Sequence, residues 1–111
     1  MNKSVSYDEV KLKRLKNRKY AKAYLKAALE AYREDGNREA FLSALRDITE
    51  AQGGVPAIAK RINKPKQSLY KALSEKGNPR LDTLDAILNS LGFRLSIEPI
   101  DSNALSPRSS D

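Results

Sequence analysis

Residues 53–91 read GGVPAIAKRINKPKQSLYKALSEKGNPRLDTLDAILNSL, and this stretch restricts the fold more than any other part of the chain. Ile58, Ala59 and Ile62 make the apolar stripe of a short helix, with Pro56 near its start, where a missing N–H costs nothing. Asn63 falls where the chain must turn sharply, and Asn tolerates a left-handed backbone better than most residues. The spacing then predicts a second short helix over residues 66–74 that buries Leu69, Ala72 and Leu73 and turns Lys66, Gln67, Ser68 and Lys71 outward. A third helix follows, with Asp82 as its expected N-cap, Asp85 three residues on, Leu81 placed to staple onto the first turn, and Leu84, Ile87, Leu88 and Leu91 facing inward. Two short helices across a tight break and then a third is the order of a helix-turn-helix.

Charge concentrates at the same place. Residues 63–81 carry Lys64, Lys66, Lys71, Lys76 and Arg80 against the single acid Glu75. The chain as a whole has a formal charge of +7 and a pI near 9.7, a balance that favours a polyanionic partner. The four outward side chains of the second short helix are of the kinds that read base edges and hold phosphates. It is the candidate recognition helix.

Other chemistry is closed off. The chain has no cysteine and no histidine, which excludes disulfides, thiolate nucleophiles, Cys/His zinc sites and imidazole catalysis. The acid pairs Asp8–Glu9, Glu34–Asp35 and Asp82–Asp85 lie near helix ends, where carboxylates stabilise the helix dipole without doing chemistry. No phosphate loop, nucleophile elbow or paired-metal pattern is present. No enzyme activity, metal or cofactor is expected. Apolar runs stay short of the ~18 residues of a membrane span, and the N-terminus lacks a secretory apolar centre, so the chain reads as cytoplasmic.

Glycines mark where helical patterns stop. One pattern runs over residues 7–35 to Gly36, and a second over residues 38–52, with Phe41, Leu42, Leu45 and Ile48 inward, to Gly53 and Gly54. The recognition helix is expected to end at Gly77 and the last helix at Gly92. Past Gly92 the period becomes two: Phe93, Leu95 and Ile97 alternate with Arg94, Ser96 and Glu98 until Pro99. A lone strand leaves its backbone unpaired, so this segment either pairs with its copy in a homodimer, presenting two recognition helices to an operator, or tucks against its own helices. The expected organisation is a basic helical N-terminal extension over residues 1–36, partly flexible, a helix-turn-helix domain over 37–98 and a disordered tail over 99–111.

In the extension, Tyr24, Leu25, Ala28, Leu29 and Tyr32 form an apolar stripe among Lys22, Lys26, Glu30 and Arg33. Two readings are open: an extra helix on the core preceded by a loose basic arm over residues 1–19, or a clamp for a protein partner. The evenly spread polar residues argue against a membrane-surface helix.

Residues 24–97 resemble the HigA-type addiction-module antitoxins, built on the lambda-repressor-like (Xre/Cro) helix-turn-helix. The resemblance lies in Tyr24-Leu25, Ala44-Leu45, Ile58-Ala59, Ser68-Leu69-Tyr70-Lys71-Ala72-Leu73-Ser74, Gly77-Asn78-Pro79, Leu81 with Thr83-Leu84, and Leu91-Gly92 before the alternating segment. It implies an all-α, lambda-repressor-like helix-turn-helix bundle with an N-terminal helical extension and a short C-terminal dimerising strand. It also implies two partners, double-stranded operator DNA and a cognate RelE/ParE-superfamily toxin, with repression of the protein's own operon.

Roles follow by chemistry and place. Lys66, Gln67 and Ser68, in the first turn of the recognition helix, are the candidates for base-edge contact, with Lys71 one turn on able to reach base or phosphate. Lys60, Lys64, Asn78 and Arg80 flank it as phosphate ligands. Tyr70 is expected to pack into the core beside Leu69 and Leu73. Tyr24, Leu25, Leu29 and Tyr32 are the candidate toxin contacts, and Phe93, Leu95 and Ile97 the apolar face of the dimer strand. Two other functions fit the same residues: a stand-alone phage- or plasmid-type repressor with no toxin, and a protein-interaction adaptor whose basic surface is incidental.

Overall fold

Asn17 interrupts what the spacing predicts as one long N-terminal helix. Its backbone is extended and its side-chain oxygen accepts the N–H of Tyr20 at 2.9 Å, which satisfies a donor at the start of a new helix. The computed structural model describes the backbone of residues 2–101 and the side chains of residues 9–101. Among the described residues the helices are α1 Asn2–Leu15, α2 Arg18–Asp35, α3 Arg38–Ala51, α4 Gly54–Ile62, α5 Lys66–Ala72 and α6 Leu81–Ser90. The expected all-α architecture holds over these residues, and none of the helices is long and apolar enough to cross a membrane.

α3 is the centre of the packing, touching α1, α2 and α4, while α4 also carries α5 and α6. Its side chains Leu42, Leu45 and Ile48 share one core with Ile58 of α4, Leu69 of α5, and Ile87 and Leu88 of α6. Burying each such side chain contributes about 1.5–3 kcal/mol. Leu15 of α1 is wholly buried in the same core, with Leu12 packed against it, and Ala21 of α2 joins them. The loose basic arm expected over residues 1–19 is therefore corrected for residues 9–15. Lys11 and Tyr24 both reach the Asp47 carboxylate, at 3.3 and 2.6 Å, and tie α1 and α2 to α3.

α2 ends at Gly36, whose left-handed backbone (φ 71°) turns its N–H back to the Tyr32 carbonyl, and Asn37 caps α3. The start of α6 differs from the expected one. Arg80 is the capping position, Asp82 accepts the N–H of Thr83 at 2.8 Å, and Leu81 is 72% exposed with no staple. Starting the helix at Leu81 moves Asp82 into the first turn, where it still complements the dipole. At the other end, Gln52 and Arg61 donate to the Leu91 and Ser90 carbonyls and satisfy acceptors the helix leaves open.

The C-terminal segment is the second correction. No strand is present among the described residues, and residues 93–101 have no regular secondary structure. A strand needs a ladder of hydrogen bonds to a neighbour, and a single chain of helices offers none. The segment does not tuck in fully either: Phe93 packs against the core, but Leu95 is 43% and Ile97 is 97% exposed. Of the expected tail, residues 102–111 lie outside the described residues.

Candidate nucleic-acid interface

The turn between α4 and α5 is set by Asn63. Its backbone is left-handed (φ 57°, ψ 49°), and Gly36, Gly53, Gly54 and Gly92 are the other described residues with positive φ. Asn63 and Lys64 donate their N–H groups to the carbonyls of Lys60 and Ala59 at 3.3 and 3.0 Å, closing the last turn of α4. Pro65 is extended, and its carbonyl accepts from the N–H groups of Ser68 and Leu69, at 3.0 and 3.4 Å, to open α5. No side chain caps α5 at its start. Its two anchors, Leu69 and Leu73, are buried to within 1% and hold the opposite face outward.

That outer face carries the residues expected there. Lys66, Gln67, Ser68 and Lys71 are all exposed. Tyr70 is exposed as well, at 53%, which corrects its expected place in the core. It stands four residues after Lys66 and three after Gln67, the helical spacing of surface neighbours, and so joins the candidate reading face. α5 spans seven residues, Lys66–Ala72, rather than reaching Ser74.

The exit from α5 is held by α3. Arg46 donates to the Leu73 carbonyl at 2.5 Å and to the Glu39 carboxylate at 2.7 Å, and Arg38 donates to the Gly77 carbonyl at 2.9 Å. A Cβ at Gly77 would drive into the Ala72 carbonyl oxygen, so only glycine lets the chain return this closely. Arg38 and Arg46 escape a reading by motif because each acts across the fold, on a loop 39 and 27 residues away. Gly77 was the one local sign that something packs there.

Around this face Lys60, Asn78 and Arg80 are exposed and Lys64 is half-buried. Among the described residues, Lys60, Lys64, Lys66 and Lys71 make no ion pair, leaving their charges available to an anion. Arg80 faces Asp82 at 3.7 Å, an exposed pair that binds it weakly.

The candidate partner stripe on α2 divides in two. Leu25, Leu29 and Tyr32 line an open groove of about 920 Å³ that also takes in Phe41 of α3, Leu84 of α6 and Phe93. Tyr24 is not among its lining residues: its hydroxyl is held by Asp47 and its ring stacks on Tyr20 with centroids 6.3 Å apart.

Residues 6–99 match the family described as probable addiction module antidote protein. The chain belongs to that family. It is also 34% identical over 65 residues to an uncharacterised protein of Haemophilus influenzae (strain KW20 / Rd); the match spans 59% of this chain and 66% of that protein, just under two thirds of its length. No solved structure matches the chain significantly. Antidote proteins of this family regulate or neutralise and are not enzymes. In this antidote-family chain the matched span takes in all of α2 to α6, and with them both the cationic face of α5 and the groove on α2.

Proposed function

We propose that this antidote-family protein is the antitoxin of a type II toxin–antitoxin module. It binds and neutralises a RelE/ParE-superfamily toxin and represses its own operon through a lambda-repressor-like helix-turn-helix of the HigA (Xre) type. The observation that carries the DNA half is the outer face of α5, where Lys66, Gln67, Ser68, Tyr70 and Lys71 stand exposed on a helix anchored by buried Leu69 and Leu73. Lys or Gln held rigidly at the mouth of a major groove can donate to guanine or adenine edges. Lys60, Lys64, Asn78 and Arg80 then grip phosphates on either side, adding salt-dependent affinity without sequence discrimination.

The toxin half rests on family membership and on the groove. Leu25, Leu29 and Tyr32 present apolar area beside Lys22 and Lys26, a surface suited to a partner's packed side chains. On this reading residues 37–98 read DNA and residues 1–36 supply most of the toxin contact.

Two assays test the two halves separately. Cells induced for the small reading frame next to this gene should arrest, and co-expression of this protein should restore growth. The purified protein should shift DNA from upstream of the pair at salt concentrations where random DNA of equal length stays free. Arrest without rescue overturns the toxin half; a shift without arrest favours a stand-alone repressor; no preference for the upstream DNA removes the repressor role.

A further inference from the structure

Residues 94–100 form a run of open backbone. Among the described residues none of their N–H or C=O groups has a hydrogen-bond partner. Seven consecutive residues without an internal partner, carrying Leu95 at 43%, Ile97 at 97% and Ile100 at 59% exposure, make an edge that recruits another strand. The N–H of Phe93, just before the run, is already used: it donates to the Leu88 carbonyl of α6 at 2.8 Å.

We propose that residues 93–99 pair antiparallel with the same residues of a second copy of this chain, about a two-fold axis at Ser96. Three independent features select this register. In an extended segment N–H groups alternate sides, so a Phe93 N–H turned to α6 sends those of Arg94, Ser96 and Glu98 to the open side. Pro99, which has no N–H, then falls on the side of Phe93, away from the partner strand, the position a ladder tolerates for proline.

The third feature is charge. With Ser96 opposite Ser96 of the second copy, Arg94 lies opposite Glu98 and Glu98 opposite Arg94, two complementary cross-strand pairs on one face. On the other face Leu95 lies opposite Ile97, twice, covering the two most exposed apolar side chains of the pairing residues. An axis at Leu95 puts Arg94 opposite Ser96, and an axis at Ile97 puts Glu98 opposite Ser96; neither neutralises a charge. One chain alone is self-complementary in only one of these three registers.

The pairing needs neither DNA nor toxin, so its test stands apart from the proposed function. The chain has no cysteine, and any thiol introduced is unique. In an antiparallel ladder residues directly opposite at a hydrogen-bonded site have Cα atoms about 5.5 Å apart, inside the disulfide range, whereas diagonal neighbours are about 7–8 Å apart. The full-length variants Ser96→Cys, Leu95→Cys and Ile97→Cys are oxidised with diamide and run on non-reducing gels. Ser96→Cys is expected to give a covalent dimer at least tenfold faster than the other two. Faster cross-linking at 95 or 97, or none at any of the three, overturns the register.

Charge reversal is the second arm, read by sedimentation equilibrium. Arg94→Glu places like charges opposite each other at both ends and is expected to weaken dimerisation about tenfold. Adding Glu98→Arg to the same chain restores the pairs with their signs exchanged and is expected to recover the lost affinity. Equal behaviour of the single and double variants overturns the proposal. Residues 94, 96 and 98 are exposed, so circular dichroism of each variant should match the parent.

Discussion

α5 and the segment after Gly92 both offer polar and aromatic or aliphatic side chains to solvent, but they do so on opposite terms. In α5 the main chain is satisfied, from the Pro65 carbonyl at its start to the Leu73 carbonyl held by Arg46 at its end. Only its side chains are free to bind, and they are held in fixed positions by Leu69 and Leu73 beneath. Beyond Phe93 the main chain itself is free and the side chains have almost no support. The difference teaches that exposure alone does not define an interface. A satisfied backbone with a rigid face suits the recognition of another molecule's pattern, and an unsatisfied one suits the addition of a strand.

The largest effect that would break this contrast is expected at Leu69. Leu69→Ala removes a fully buried side chain and should lower unfolding free energy by about 2–5 kcal/mol in urea titrations, while the exposed face of α5 is chemically untouched. A loss under about 1 kcal/mol would mean that α5 is not anchored as described. Next comes Gln67→Ala, which should cost about 1–3 kcal/mol on operator DNA and little on random sequence, compared by fluorescence anisotropy at one salt concentration. Equal losses on both DNAs would reassign Gln67 to phosphate binding.

Arg46→Ala removes the donors to the Leu73 carbonyl and to Glu39 and should cost about 1–3 kcal/mol of stability, because the half-buried carboxylate of Glu39 is left without its partner. Hydrogen exchange at residues 73–77 should quicken before the rest of the protein does. The smallest effect sharpens the other side of the comparison. Ile97→Ser, at a side chain 97% exposed, should leave the unfolding free energy of the single chain within about 0.5 kcal/mol.

Legibility in the sequence follows how local each cause is. The α4–Asn63–α5 unit could be read because apolar spacing and a left-handed Asn act within a few residues, and the outward positions of Lys66, Gln67, Ser68 and Lys71 came with it. The break at Asn17 was hidden because Leu15 and Ala21 continue an apolar rhythm across it, although an Asn three residues before a backbone donor is a recognisable cap. Tyr70 could not be placed from a helix of seven residues, where a ring next to Leu69 stands at the border between buried and open faces. The contacts of Arg38 and Arg46 are tertiary, and no spacing rule reaches them. The alternation at residues 93–98 is real in the sequence, but a strand is a property of two chain segments, and one chain supplies one.

Adjacent residues of α3 face different duties. Arg46 holds the exit of the recognition helix, and Asp47 receives Lys11 from α1 and Tyr24 from α2. A genetic screen for loss of function will therefore draw alleles at Arg46 and Asp47 whatever phenotype is selected. Such alleles report a shared support and not a contact, and mapping either surface by mutation should start from exposed positions on α5 and α2, with α3 variants kept as controls for folding.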